Sequence, residues 1–85
     1  MKAIILTRGN NAKEQEEKCK SYAQSKGYEV LDVIEYIKDT AIPLSADVVI
    51  VSHISRVTRD YLKFLKIEKE LKDYNVTIEV ARSGV

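Results

Sequence analysis

Four consecutive β-branched residues, Val48-Val49-Ile50-Val51, constrain this chain more than any other feature of its sequence. A strand turns successive side chains to opposite faces, so a run with no polar position has to be covered on both. Such a run belongs at the centre of a parallel sheet with helices on each face, not in an antiparallel sheet with one side in water. The rest of the sequence must supply both covering layers within 85 residues. A chain of that length buries about 60–65% of its unfolded surface, and residues 1–85 are read as a single domain. There is no room for a second lobe or a dedicated cofactor domain.

The segments around the run are those that such a sheet needs. Residues 2–7, KAIILT, read as a short buried strand stopped by Arg8-Gly9-Asn10-Asn11. A helix is predicted over 12–26, with Asn11 as N-cap, Glu14 completing something close to a capping box and Gly27 just past the end. Cys19, Tyr22 and Ala23 share its apolar face. A strand over 28–36 carries Val30, Val33 and Ile34. Residues 38–45, KDTAIPLS, hold the one proline and read as a connection. The buried run itself is placed in a strand over 46–52. A second helix is predicted over 58–73, where Tyr61, Phe64, Ile67, Leu71 and Tyr74 keep helical spacing and Leu62 and Leu65 widen the apolar face. The last strand, over 75–81, alternates through Val76-Thr77-Ile78-Glu79-Val80, as a half-exposed edge strand does. This order gives an α/β fold with a mostly parallel four-stranded sheet. The strand order stays open, because the 38–45 connection is short for a parallel crossover, which usually takes about a dozen residues or more.

Composition excludes several classes. Fourteen Lys and Arg oppose thirteen Asp and Glu, a net charge of +1, so the total does not describe a strongly basic nucleic-acid binder. Attraction to phosphate has to come from a local cluster. A single cysteine, Cys19, excludes an internal disulfide, and with His53 as the one histidine a structural zinc site lacks ligands. No metal and no small-molecule cofactor is expected, and a reduced, cytoplasmic setting is the simplest. The run Ala3-Ile4-Ile5-Leu6 is too short for a signal-peptide core, and no segment approaches the roughly 20 apolar residues of a membrane span.

In α/β sheets, chemistry gathers in loops at the carboxyl ends of strands. Two loops qualify, Thr7 to Asn11 and Ser52 to Thr58. Arg8 lies just past the first strand; Arg56 and Arg59 lie past the buried one, at a spacing that would give them one face of a helix start. Three of the four arginines thus map to one edge of the sheet. Guanidinium groups bind phosphate bidentately and keep their charge, which suits a phosphoryl site. The plain alternative is three solvated arginines on surface loops. His53 could join the same edge as an acid or base, although a lone histidine is more often structural. Cys19 reads as a small packed residue, and Lys63, Lys66, Lys69 and Lys72 as a solvated helix face. Gly9-Asn10-Asn11 lacks the glycine spacing and lysine of a phosphate-binding loop.

These residues carry a resemblance. The strand Asp47-Val48-Val49-Ile50-Val51, followed by Ser55-Arg56-Val57-Thr58-Arg59-Asp60, resembles the catalytic-domain segment of serine recombinases, the resolvases and invertases. There an apolar strand leads to an Asp-Arg-Leu-x-Arg type motif and a long helix. Ile4-Ile5-Leu6-Thr7-Arg8 is similar to the family's opening strand. Gln15, Cys19, Tyr22 and Ala23 fit its first helix, and Lys26-Gly27-Tyr28-Glu29-Val30 fits the turn into strand two. The match is collinear over nearly the whole chain.

The resemblance implies a three-layer resolvase-like domain and an origin in a mobile element or phage. Members of the family cut and rejoin DNA through a serine that attacks the backbone phosphate, with arginines stabilising the transition state. It places Arg8, Arg56 and Arg59 at catalytic, phosphate-stabilising and DNA-binding positions, and Gln15 at a DNA-binding glutamine position beside them. It also places Asn10 where the nucleophilic serine stands, and an amide cannot make that attack. Thr7 is a poor substitute, Ser55 replaces the usual aspartate, and the loop before Gln15 is shorter than the family's. The segment from Asp39 to Ala46 lacks the family's extra helix and its arginine, and Val85 precedes the long dimerisation helix. The expectation is a domain that keeps a phosphate site but not strand cleavage. Its expected partners are DNA, a second copy or a related recombinase. The alternative is a protein-interaction or oligomerisation domain with no nucleic-acid role, which the near-neutral charge favours.

Overall fold

The computed structural model describes residues 1–35, 45–53 and 60–81. Within them the chain runs β1 (Lys2–Thr7), α1 (Ala12–Lys26), β2 (Glu29–Glu35), β3 (Val48–Val51), α2 (Tyr61–Lys72) and β4 (Thr77–Val80). The strands form one four-stranded sheet in the order β2-β1-β3-β4. All three pairings are parallel. Val48 to Val51 occupy an inner strand, and each is fully buried, as an unbroken apolar run requires.

Alternation along the two inner strands separates two cores. Ala3, Ile5, Val48 and Ile50 pack with Cys19 and Ala23 of α1. Ile4, Leu6, Val49 and Val51 pack with Phe64 and Leu71 of α2. The domain is therefore three layers: α1, sheet, α2. Topology explains why the helices part. The β1-α1-β2 unit moves outward from the centre in one direction and β3-α2-β4 in the other. Crossovers of one hand then land on opposite faces. The strand order that the sequence left open is also fixed here. β2 and β3 flank β1, so one strand lies between them, a lateral separation of about 10 Å. Residues 36–44 of the connection from β2 to β3, Pro43 among them, lie outside the described residues.

Strand β2 is irregular for a reason visible in its sequence. Val30 and Val33 are three residues apart, so a regular strand would turn them to opposite faces. The ladder instead shifts between Ala3 and Ile4, pairing Ala3 with Val30 but Ile4 with Asp32. Leu31 is the extra, unpaired residue of a β-bulge and is 44% exposed. The bulge brings Val30 and Val33 together in the α1 core and leaves Ile34 against the α2 core. Deleting Leu31 would make the ladder regular while keeping every other partner. The expected result is a folded domain whose denaturant midpoint changes by less than the equivalent of about 1 kcal/mol. Deleting Ile5, by contrast, should abolish cooperative unfolding.

The helix ends correct the sequence expectations in detail. Helix α1 has the expected bounds, but Asn11 adopts the left-handed conformation (φ 65°), and its side chain caps nothing. A capping side chain needs an extended N-cap backbone, so the expected capping box does not form. At the other end Gly27 (φ 74°) closes a Schellman motif: its N–H donates to Gln24 O and that of Tyr28 to Ala23 O. Helix α2 starts at Tyr61 rather than at 58. Asp60 stands before it in extended conformation, and its carboxylate accepts from the N–H groups of Leu62 and Lys63. Strand β4 starts at 77 rather than 75, because Asn75 (φ 63°) closes α2 as Gly27 closes α1. The N–H groups of Asn75 and Val76 donate to Lys72 O and Leu71 O. The apolar face of α2 is narrower than its sequence suggests. Phe64 and Leu71 are buried and Ile67 packs beside them, whereas Tyr61, Leu62, Leu65 and Tyr74 are exposed.

Candidate functional site

The strand order reverses between β1 and β3, since the chain winds away from that pair in both directions. The carboxyl ends of two such strands diverge into loops that run to opposite faces, leaving a crevice where α/β sheets bind ligands. Residues 8–11 leave β1 there, and Ser52 and His53 leave β3. Asp47 lies at the other end of the sheet. Its carboxylate accepts from Lys2 N–H at 2.9 Å, and its N–H donates to Lys2 O at 2.8 Å, so it ties the amino ends of β1 and β3.

The loop after β1 is organised by Gln15, in the first turn of α1. This side chain is 4% exposed. Its Oε1 accepts from Arg8 N–H at 2.9 Å, while Nε2 donates to Arg8 O at 2.8 Å and to Asn10 O at 3.0 Å. Gly9 (φ 74°) and Asn11 (φ 65°) supply the left-handed steps that fold the loop around the amide. The α1 N–H groups gain no side-chain cap from Asn11, so the positive end of the helix adds to the field at this edge.

Of the residues singled out in the sequence, Arg8, Asn10 and Gln15 are brought together by this loop. Arg8 is half-buried and Asn10 exposed. Arg56, Arg59 and Ser55 lie outside the described residues, between His53 and Asp60. Thr7 is 4% exposed at the end of β1, a poor place for an attacking hydroxyl. His53 is exposed just past β3. Cys19 is fully buried, and burial pushes its thiol up to about 11, which keeps it protonated and unreactive at neutral pH. Lys63, Lys66, Lys69 and Lys72 are exposed along α2. Among the described residues no three His, Cys, Asp or Glu side chains gather into a metal-ligand set, and no helix is long and apolar enough to cross a membrane. A groove of about 420 Å³ between α2 and the start of β4, lined by Leu65, Lys69, Lys72 and Ile78, lies toward the amino end of the sheet and is separate from this loop.

Sequence reasoning placed Tyr22 on the apolar face of the first helix and missed a polar cluster. Tyr22 of α1 donates to Glu79 Oε1 at 2.5 Å, and Tyr28 donates to Oε2 at 2.8 Å. The signal was the alternation of β4: with Ile78 in the α2 core, Glu79 turns to the α1 side, where both tyrosines pack. The hydrogen bond to Glu79, reinforced by burial and by the carboxylate charge, raises Tyr28 and pushes Tyr22 up to about 12. A raised phenol stabilises the fold in its neutral form. That contribution is complete below the ordinary tyrosine value of about 10 and is lost as pH climbs through the raised one. In a spectroscopic titration, at least one of the five tyrosines should ionise near pH 12 in the folded protein. Glu79→Gln should bring that step back toward pH 10; an unchanged titration would contradict the cluster.

No family model matches the sequence, and no curated protein matches it significantly. Solved structures do match. The C-terminal catalytic domain of ISC1926 TnpA, an IS607-like serine recombinase, superposes with a TM-score of 0.80 at 26% identity, over 99% of this chain and 72% of that one. A resolvase family site-specific recombinase from Streptococcus pneumoniae gives a TM-score of 0.80 at 17% identity, over 100% and 74%. The N-terminal catalytic domain of TP901-1 integrase gives 0.75 at 19%, over 95% and 77%. The chain has the fold of a resolvase-type serine recombinase catalytic domain, as its sequence resemblance implied.

Proposed function

We propose that this domain binds the phosphate backbone of DNA and does not cut it. The binding groups are Arg8 and the arginines at 56 and 59, which follow β3 in the sequence. One observation carries this reading: the residue at the position of the family's nucleophile, Asn10, is exposed on the loop at the sheet's switch point, two residues from Arg8. An amide there can donate and accept hydrogen bonds but cannot form a phosphodiester with DNA. The buried Thr7 offers no replacement. A domain that grips phosphate without breaking it would act in a mobile-element setting by occupying DNA or by pairing with an active recombinase. The test is a nicked duplex incubated with the protein and resolved on a denaturing gel. No protein-linked DNA is expected, together with retention on a native gel that weakens steeply with salt. A covalent adduct would overturn the reading, and its loss in Thr7→Val would name the nucleophile.

A second reading rests on a separate observation. Tyr61 (60% exposed) and Leu62 (76% exposed) open α2 with apolar surface. A protein partner, including a second copy, would cover them, and binding that survives loss of the arginines but not Leu62→Ser would favour this reading.

A further inference from the structure

We infer that Gln15 is a positioning residue of the candidate site: it holds Arg8 and Asn10 in place through their backbone and contacts no ligand itself. The inference rests on the reading of the Arg8 loop as a phosphate site and adds the part that makes the loop rigid.

Among the described residues the sheet ladder stops just where the site begins. Pairing of β1 with β3 ends at Leu6↔Val51, and pairing with β2 ends at Thr7↔Glu35. Arg8 is the next residue, one step past the last pair of either ladder among the described residues. The Gln15 amide takes the strand's place. It accepts from Arg8 N–H and donates to Arg8 O, as a neighbouring peptide group would, and its second N–H reaches Asn10 O. The ladder is in effect continued by one residue through a side chain, and the second Nε2–H bond spans the left-handed step at Gly9. All three bonds form in a group that is 4% exposed, so little water competes with them.

The chemistry of the three partners dictates the residue. One acceptor and two donors in a single plane are offered only by a primary amide. A carboxylate would accept from Arg8 N–H but turn negative oxygens on two carbonyls. Lysine and arginine have no acceptor. Asparagine carries the right groups on a stem one methylene too short. Because both amide protons and the oxygen are engaged with backbone, Gln15 acts through Arg8 and Asn10 and not on DNA directly.

The test compares Gln15→Met, which keeps length and removes the amide, with Gln15→Glu, which keeps one bond and opposes two. Amide hydrogen exchange is the first readout. Arg8 N–H, protected in the parent protein, should exchange at least about tenfold faster in both variants, while Ile50 N–H in the core stays as slow as before. Unchanged Arg8 exchange, or an equal acceleration at Ile50, would overturn the inference, the second by reducing Gln15 to general stability. Affinity for a duplex DNA probe is the second readout. Gln15→Met should weaken it about as much as Arg8→Ala does, and should weaken it no further in an Arg8→Ala background. Additive losses would mean that Gln15 touches the ligand itself and would overturn the inference. If the parent protein fails to bind DNA, the phosphate reading falls, and the exchange result alone decides whether Gln15 holds the loop.

Discussion

Ile50→Ala should remove a large part of the stability of this domain. Ile50 is fully buried at the centre of β3, paired with Ile5 on one side and Glu79 on the other. Truncating a buried isoleucine to alanine costs about 2–5 kcal/mol, from lost transfer energy and the cavity left behind. At roughly 0.05–0.15 kcal/mol per residue, a chain of this size has only about 4–13 kcal/mol in total. The site cannot collapse easily, because strands flank it on both sides and α1 covers it. The urea midpoint should fall by about 1 M or more. Leu62→Ala provides the contrast: that side chain is 76% exposed, and the midpoint should move by the equivalent of less than about 0.5 kcal/mol. Comparable losses for the two variants would contradict the three-layer core.

Replacing Arg8, Arg56 and Arg59 together by alanine should nearly abolish binding to duplex DNA while leaving the domain folded. A charge-assisted hydrogen bond contributes about 1.5–3 kcal/mol, so each arginine accounts for roughly tenfold or more in affinity. The triple variant should therefore bind about a thousandfold more weakly. Salt dependence gives an independent measure. Removing one cation that neutralises a phosphate lowers the slope of log K against log salt by about one, whatever the DNA sequence. The net charge of +1 sharpens the experiment, since little diffuse attraction remains to mask the effect. Binding that persists with an unchanged slope would place the phosphate-binding groups elsewhere, with the exposed lysines of α2 as the next candidates.

The sequence carried most of this architecture because the decisive signals are local. A four-residue apolar run with no polar side implies burial on both faces, and the structure buries all of Val48 to Val51. The alternation from Val76 to Val80 likewise implied an edge, and β4 is one. Helix ends were less legible. Asn11 has the right chemistry for a cap, but the turn built around Gly9 puts its backbone in the wrong region. On α2 the helical spacing was right and the width wrong: periodicity says which residues share a face, not how far a neighbouring sheet reaches to cover it. The bulge at Leu31 was written in the odd spacing of Val30 and Val33, but that spacing has meaning only once the partner strand is known.

The site divides in the same way. That Arg8 ends a strand and that Gln15 follows seven residues later can be read from the chain. That the Gln15 amide closes on Arg8 and Asn10 cannot, because it depends on how α1 returns across the sheet. The Tyr22–Glu79–Tyr28 cluster is more distant still, joining residues 57 and 51 positions apart. The sequence by itself determined the elements, the buried central strand and the arginines that follow strand ends, since each follows from local propensity and periodicity. Only the tertiary structure decided the order β2-β1-β3-β4, and with it the switch point and the partners of Gln15 and Glu79. Strand order is set by packing both faces of one sheet at once, and no short stretch of sequence encodes that.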